Sequence, residues 1–190
     1  MTRLPAILPE TATGKSKTLL DAVQKKLGRV PNLMRTLATA PAALEGYLSL
    51  SGALATGTLD AKTREQIALT VAEANLCEYC LAAHSAIGAM VGLTAEDVGK
   101  ARQAAAAQPR TDAILKLARN LVVHRGQLGD GELQAARRAG ITDAEILETV
   151  AHVALNVLTN YTNLVAHTVV DFPAVAPAAA DCSSGTCGSR

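Results

Sequence analysis

The sequence predicts an all-α fold, on three observations. Hydrophobic residues make up 49% of its 190 positions and aromatic ones only 2%; Ala and Leu favour helices, whereas aromatic residues favour strands. Apolar residues recur at helical spacing in one stretch after another. Glycine, proline and cap-forming residues fall between those stretches rather than inside them. The length suits one domain, or two small halves sharing a core.

Residues 1–14 hold Pro5, Pro9 and Gly14 and read as an extended arm. Residues 15–173 read as the helical domain, and 174–190, rich in Ala, Pro, Ser and Gly, as a flexible tail. The first helix, 16–27, has Leu19, Leu20, Val23 and Leu27 on one stripe and stops at Gly28. A short second helix follows Val30-Pro31-Asn32 to about Ala38. Pro41 occupies a first-turn position for a helix over 42–55, ending at Gly57.

Residues 60–74 give the strongest helix, with Asp60 as N-cap. Its body, Ile67, Ala68, Leu69, Val71 and Ala72, is apolar nearly all round, the mark of a central buried helix. Asn75-Leu76 breaks it, and another helix runs from Cys77 to Val91 before Gly92. Thr94-Ala-Glu-Asp97 is a capping pattern for a helix to about Ala107, stopped by Gln108-Pro109. Residues 111–124 carry a core face of Ile114, Leu115, Leu117, Ala118, Leu121 and Val122. A short helix spans 130–139 and ends at Gly140. Thr142-Asp-Ala-Glu145 caps the last helical region, expected to reach about Asp171 before Phe172-Pro173.

A shift of 83 residues aligns Asp60-Ala61 with Asp143-Ala144, Glu65 with Glu148, and Ala83-His84 with Ala166-His167. It sets Cys77 and Cys80 on Asn160 and Asn163. The pattern suggests two related helical hairpins with thiols only in the first, or a chance alignment of Ala-rich helices.

Composition narrows the function. A net charge of +1, with no basic face and no aromatic stacking set, excludes nucleic acid as the expected partner. No run approaches the roughly 18 apolar residues of a membrane span. The first residues lack the apolar run of a secretory signal, so the cytoplasm is the expected location. Thiols stay reduced there, and a Cys pair is then catalytic or metal-binding rather than a structural disulfide.

One stretch, 65–84, gathers acid–base and redox groups: Glu65, Cys77, Cys80 and His84. Cys77, Cys80 and His84 stand at i, i+3 and i+7, on one helical face. The thiols are close enough for a disulfide, and a helix N-terminus favours thiolate, the nucleophilic form. His84 can accept or relay the proton. On a continuous helix Glu65 would lie about 18 Å from Cys77. A chain reversal at Asn75-Leu76 instead brings Glu65 level with His84 across an antiparallel pair, where its carboxylate orients the imidazole. A Glu on a buried helix also needs a partner.

The pattern Glu-x11-Cys-x2-Cys-x3-His resembles the active site of the AhpD-like alkylhydroperoxidases, in the carboxymuconolactone decarboxylase superfamily. Leu59-Asp-Ala-Lys-Thr-Arg-Glu65, Cys-Glu-Tyr-Cys and Val170-Asp-Phe-Pro173 fit too, over roughly residues 28–173, closest to the peroxidase-related branch. The resemblance implies an AhpD-like helical bundle, homo-oligomers (trimers or hexamers), and no metal or organic cofactor. It implies Cys80 as the peroxidatic thiol, Cys77 as the resolving thiol, and a Glu65/His84 proton relay. Cys80 thiolate would attack a hydroperoxide, giving a sulfenic acid that Cys77 closes to a disulfide. An external dithiol or thiol protein would restore the pair.

The family pattern has a second relay His before the distal Cys, where this chain has Tyr79. A phenol of pKa about 10 takes up no proton near neutrality but can donate a hydrogen bond, so Tyr79 is an auxiliary candidate. Glu73 is another, facing either the pocket or solvent and a neighbouring subunit. Cys77 and Cys80 could instead be half of a zinc site completed by Cys182 and Cys187. The tail thiols otherwise are incidental, form a small disulfide, or shuttle to the active pair. His124, His152 and His167 read as structural. Asn156, Asn160 and Asn163 read as polar links across a helix or subunit interface, with a substrate-facing role open for one. The competing functions are a lactone-decarboxylase-like lyase, which has no need of a Cys pair, and a non-enzymatic redox-sensing helical oligomer.

Overall fold

The computed structural model describes residues 2–178; Cys182, Cys187 and the rest of the tail lie outside the described residues. Nine helices follow one another among those residues, with no strand: α1 (Gly14–Leu27), α2 (Asn32–Leu37), α3 (Pro41–Leu54), α4 (Ala61–Ala74), α5 (Glu78–Met90), α6 (Ala95–Arg102), α7 (Pro109–Val123), α8 (Asp130–Arg138) and α9 (Asp143–Ala166).

Helix α4 is the axis. It packs against α5, α6, α7 and α9, and Ile67, Leu69, Val71 and Ala72 are fully buried. That follows from its all-round apolar sequence. The expected caps are present: Asp60 accepts from the Thr63 N–H at 2.8 Å, and Thr94 and Thr142 form capping boxes with Asp97 and Glu145. Helices α2 and α3 lie against α9, and α1 packs on both of them.

The reversal after α4 is a Schellman motif. The Cys77 N–H returns to Ala72 O (2.9 Å) and the Leu76 N–H to Glu73 O (3.0 Å). Leu76 takes the left-handed position, φ 54°, one that suits glycine better and is held here by both bonds. α5 then starts at once and runs back along α4.

Three expectations change. The helix begun at Thr94 stops at Arg102, because Ala104 turns left-handed (φ 55°) and the Ala105 N–H closes on Lys100 O. Helix α9 stops at Ala166, several residues short of Asp171, where His167 adopts φ 50° and the Thr168 N–H caps Asn163 O. The second hairpin of the repeat is not formed. Its turn would fall at Leu158-Thr159, which lies inside the unbroken 24-residue α9. A β-branched Thr at the left-handed site disfavours that turn.

The segment after α9 is strapped to the body. Asp171 accepts from Arg29 (2.6 Å) and from the Asn32 N–H (3.1 Å). Phe172 lies under the Arg29 guanidinium and edge-on to Tyr79, ring centroids 5.8 Å apart. At the other end of the chain, the arm is pinned by Ile7 N–H to Arg35 O and Arg3 N–H to Ala166 O.

Candidate active site

The hairpin places the acid–base pair as the sequence suggests. His84 Nδ1 and Glu65 Oε2 are 2.8 Å apart, with side chains only 21% and 18% exposed. Burial opposes the imidazolium, but the Glu65 charge and hydrogen bond and the nearby Cys80 raise the His84 pKa overall. With Nδ1 engaged by the carboxylate, Nε2 is the ring atom left for other chemistry.

Cys77 is the N-cap of α5 and Cys80 its third residue. Both are free thiols and buried. The Cys77 thiol donates to Cys80, which pushes Cys77 up and holds Cys80 below its ordinary value of 9.0. For Cys80, burial opposes this, while charge on His84 and the amides of Asn163 and Asn160 add to it. The two cysteines are therefore unequal: their surroundings favour the thiolate at Cys80 and the thiol at Cys77.

Access separates them as well. A cavity of about 290 Å³ reaches Cys80, His84 and Glu65, whereas Cys77 is not part of its wall. Leu33, Met34, Ile87, Leu155 and Phe172 give the cavity an apolar body. Tyr47, Ser51, Arg64, His152 and Asn156 bring further polar groups to it. Burial first, then the charges on Glu65 and Cys80, raise the Tyr47 phenol to about 12. It stays protonated across the neutral range and can offer a hydrogen bond. Burial and then Arg64 hold the His152 pKa down, so this imidazole is neutral, and its buried Nε2 has no partner.

The auxiliary candidates do other work. The Tyr79 hydroxyl accepts from the Leu33 N–H at 3.1 Å. Its buried ring joins α5 to α2 and to Phe172, and burial raises its pKa. Glu73 does not face the cavity. Its carboxylate takes Arg102 Nε (2.6 Å) and the Ala178 N–H (2.6 Å), tying α4 to α6 and to the strap. His167 is the exposed C-cap of α9 and His124 that of α7. Glu148, the counterpart of Glu65 in the repeat, instead accepts from the Thr58 N–H at 2.9 Å and from the Leu59 N–H. Among the described residues, no three His, Cys, Asp or Glu side chains cluster to hold a metal ion.

The asparagines of α9 turn inward. Asn163 Nδ2 donates to Cys80 Sγ at 3.3 Å. Asn160 Oδ1 accepts from Asn75 Nδ2 at 2.9 Å. Asn156 bonds back to His152 O at 2.8 Å and lines the cavity. Their period on a buried helix is visible in the sequence, but their target is not. Tyr47 and Ser51, one turn apart on α3, give no sequence signal.

An all-helical bundle with a Cys-x-x-Cys pair opening a helix beside a Glu–His pair is what the sequence resemblance implies. The profile of the carboxymuconolactone decarboxylase family matches residues 41–123. Over those residues the chain is similar to the carboxymuconolactone decarboxylase family, and its fold is AhpD-like. The AhpD core of a peroxidase-related protein from Ralstonia eutropha JMP134 superposes with a TM-score of 0.80 at 25% identity, over 90% of this chain and 92% of that one. A peroxidase-related protein from Silicibacter sp. TM1040 gives 0.75 at 21% identity, over 89% and 94%. The debrominase Bmp8, bound to 2,3,4-tribromopyrrole, shares the fold with a TM-score of 0.76 at 16% identity, over 90% and 92%. In sequence, an uncharacterized protein of Haemophilus influenzae is 52% identical over 46 residues, which is 24% of this chain and 41% of that relative. The chain thus spans less than half of that relative's length.

Proposed function

We propose that the protein is a dithiol peroxidase that reduces hydroperoxides. The observation that carries this reading is one cavity holding the low-pKa Cys80 beside a His84–Glu65 pair at 2.8 Å, with Cys77 behind it as a second thiol. Cys80 thiolate attacks the outer peroxide oxygen and the O–O bond breaks. The leaving alkoxide or hydroxide takes a proton from His84, whose imidazolium Glu65 holds until then. Cys80 is left as a sulfenic acid. The Cys77 thiol then gives its proton to His84 and its sulfur attacks Cys80. Hydroxide leaves, takes that proton as water, and the Cys77–Cys80 disulfide remains. An external dithiol or thiol protein reduces it by exchange. No part of this chemistry needs a metal or organic cofactor.

The superfamily's name also suggests a decarboxylating lyase. Unequal paired thiols serve a two-electron reaction and have no task in that one, so they favour the peroxidase. A cytoplasmic setting suits a pair that must be reduced after each turnover, and no helix among the described residues is long and apolar enough to cross a membrane. The exposed Leu147, Val150, Leu158, Tyr161, Leu164 and Val165 on α9 give a homo-oligomer an apolar contact face.

The test is a thiol count under excess organic hydroperoxide. The wild type should form the Cys77–Cys80 disulfide, Cys77→Ser should stop at a trappable sulfenic acid on Cys80, and Cys80→Ser should keep Cys77 reduced. If Cys80→Ser consumes peroxide as the wild type does, the reading fails. A halogenated pyrrole belongs in the same assay as a competing electrophile, because the debrominase shares this fold.

A further inference from the structure

We propose that Asn163 and Asn160 of α9 form an amide cradle for the Cys80 sulfur that holds it as thiolate and so sets the redox poise of the Cys77–Cys80 pair. The proposal rests on the reading of Cys80 as the reacting thiol.

The geometry comes from two elements 83 residues apart in sequence. Asn160 and Asn163 lie on the inward face of α9, both buried. Asn163 Nδ2 donates directly to Cys80 Sγ at 3.3 Å. Asn75, in the reversal between α4 and α5, holds Asn160 by its oxygen at 2.9 Å. That bond fixes which end of the amide faces where, and it leaves the buried Nδ2 of Asn160 without a hydrogen-bond partner. A buried donor left unpaired is costly, and so is a buried anion without donors. Cys80 and the two amides resolve each other's deficit when the sulfur carries charge. A neutral thiol or disulfide sulfur is a weak acceptor and does so poorly. Both amides accordingly help to lower the Cys80 pKa against its burial.

The consequence reaches beyond nucleophilicity. The cradle stabilises the reduced, charged state more than the disulfide, so it makes the disulfide easier to reduce.

The test needs no peroxide, so it can fail separately from the peroxidase reading. The probe is iodoacetamide, and the alkylation rate of Cys80 is followed against pH by peptide mass in the full chain. Asn163→Leu removes the donor at similar size. A hydrogen bond to a charged group supports an expected loss of about tenfold in thiolate at a pH below the titration midpoint. The same tenfold lowers the dithiol–disulfide potential by about 30 mV in a glutathione titration. Asn160→Leu shifts both readouts in the same direction. A purely packing role would lower the melting temperature and leave the Cys80 midpoint in place. A folded Asn163→Leu protein with the wild-type midpoint and potential overturns the proposal. Should that variant fail to fold, Asn163→Ala, a helix-favouring replacement, takes its place in both measurements: a raised midpoint and lowered potential support the cradle, and wild-type values overturn it.

Discussion

Replacing Glu65 by Gln tests the proton relay where the structure is most explicit. The substitution keeps the shape of the side chain and its hydrogen-bonding reach but removes its charge. In the wild type the carboxylate sits 2.8 Å from His84 Nδ1, with both side chains about four-fifths buried, so solvent screens the pair only in part. A hydrogen bond to a charged group is worth about 1.5–3 kcal/mol net. Glu65 makes that full interaction only while His84 carries its proton, and burial, the largest influence on His84, then prevails in the variant. If the step through protonated His84 loses this amount, its rate falls by about 10- to 150-fold. The assay is rapid-quench oxidation of Cys80 by an organic hydroperoxide in a single turnover, with thiol trapping, near neutral pH. The melting temperature is measured alongside. A folded Glu65→Gln protein with no measurable slowing would refute the relay, whatever its effect on the steady state.

Other expectations follow from the same structure. Tyr79→Phe removes the acceptor for the buried Leu33 N–H. It should cost about 1–3 kcal/mol in chemical denaturation and leave single-turnover oxidation of Cys80 nearly unchanged, which separates support from chemistry. Thr142→Ala deletes the cap that accepts from the Glu145 N–H. It should cost about 1 kcal/mol, a drop of roughly 2–4 °C in melting temperature for a chain of this size. The pH dependence has two opposite parts. Cys80 is held below 9.0, first by the Cys77 hydrogen bond. Its contribution to the stability of the reduced protein is complete above 9.0 and is lost as pH falls through the lowered value. His84 is raised from 6.5 by Glu65 and Cys80 against its burial. Its contribution is complete below 6.5 and is lost as pH rises through the raised value. Peroxide reactivity should therefore persist on acidification well below 9.0, and a rate that simply follows an ordinary thiol titration would contradict the pairing.

Much of the molecule is legible in its residues. Periodicity and caps locate every helix among the described residues, because Asp60, Thr94 and Thr142 announce their helices with local chemistry that tertiary contacts do not override. Glu65 and His84 are legible as partners because the midpoint between them falls on Asn75-Leu76, and a reversal there makes them neighbours. The helix ends are harder. Ala104 and His167 adopt left-handed conformations that neither residue type advertises, so the periodicity overstates the length of α6 and α9. The unformed second hairpin has the same origin: at Leu158-Thr159 nothing enforces the turn that the backbone bonds to Ala72 and Glu73 enforce at Leu76. Long-range contacts are the other gap. That Glu73 serves Arg102, that Tyr79 serves Leu33, and that Asn163 reaches Cys80 depend on where α2, α6 and α9 dock, which no local pattern encodes.

The central claim is that Cys80 reacts with a hydroperoxide and Cys77 resolves the product. The most direct measurement is peptide mass mapping of the reduced full-length protein after one equivalent of organic hydroperoxide. The account predicts that the peptide holding both residues becomes lighter by two hydrogens, with Cys182 and Cys187 still reduced and one alcohol released per chain. A Cys77–Cys80 peptide that keeps both thiols while peroxide is consumed would contradict it.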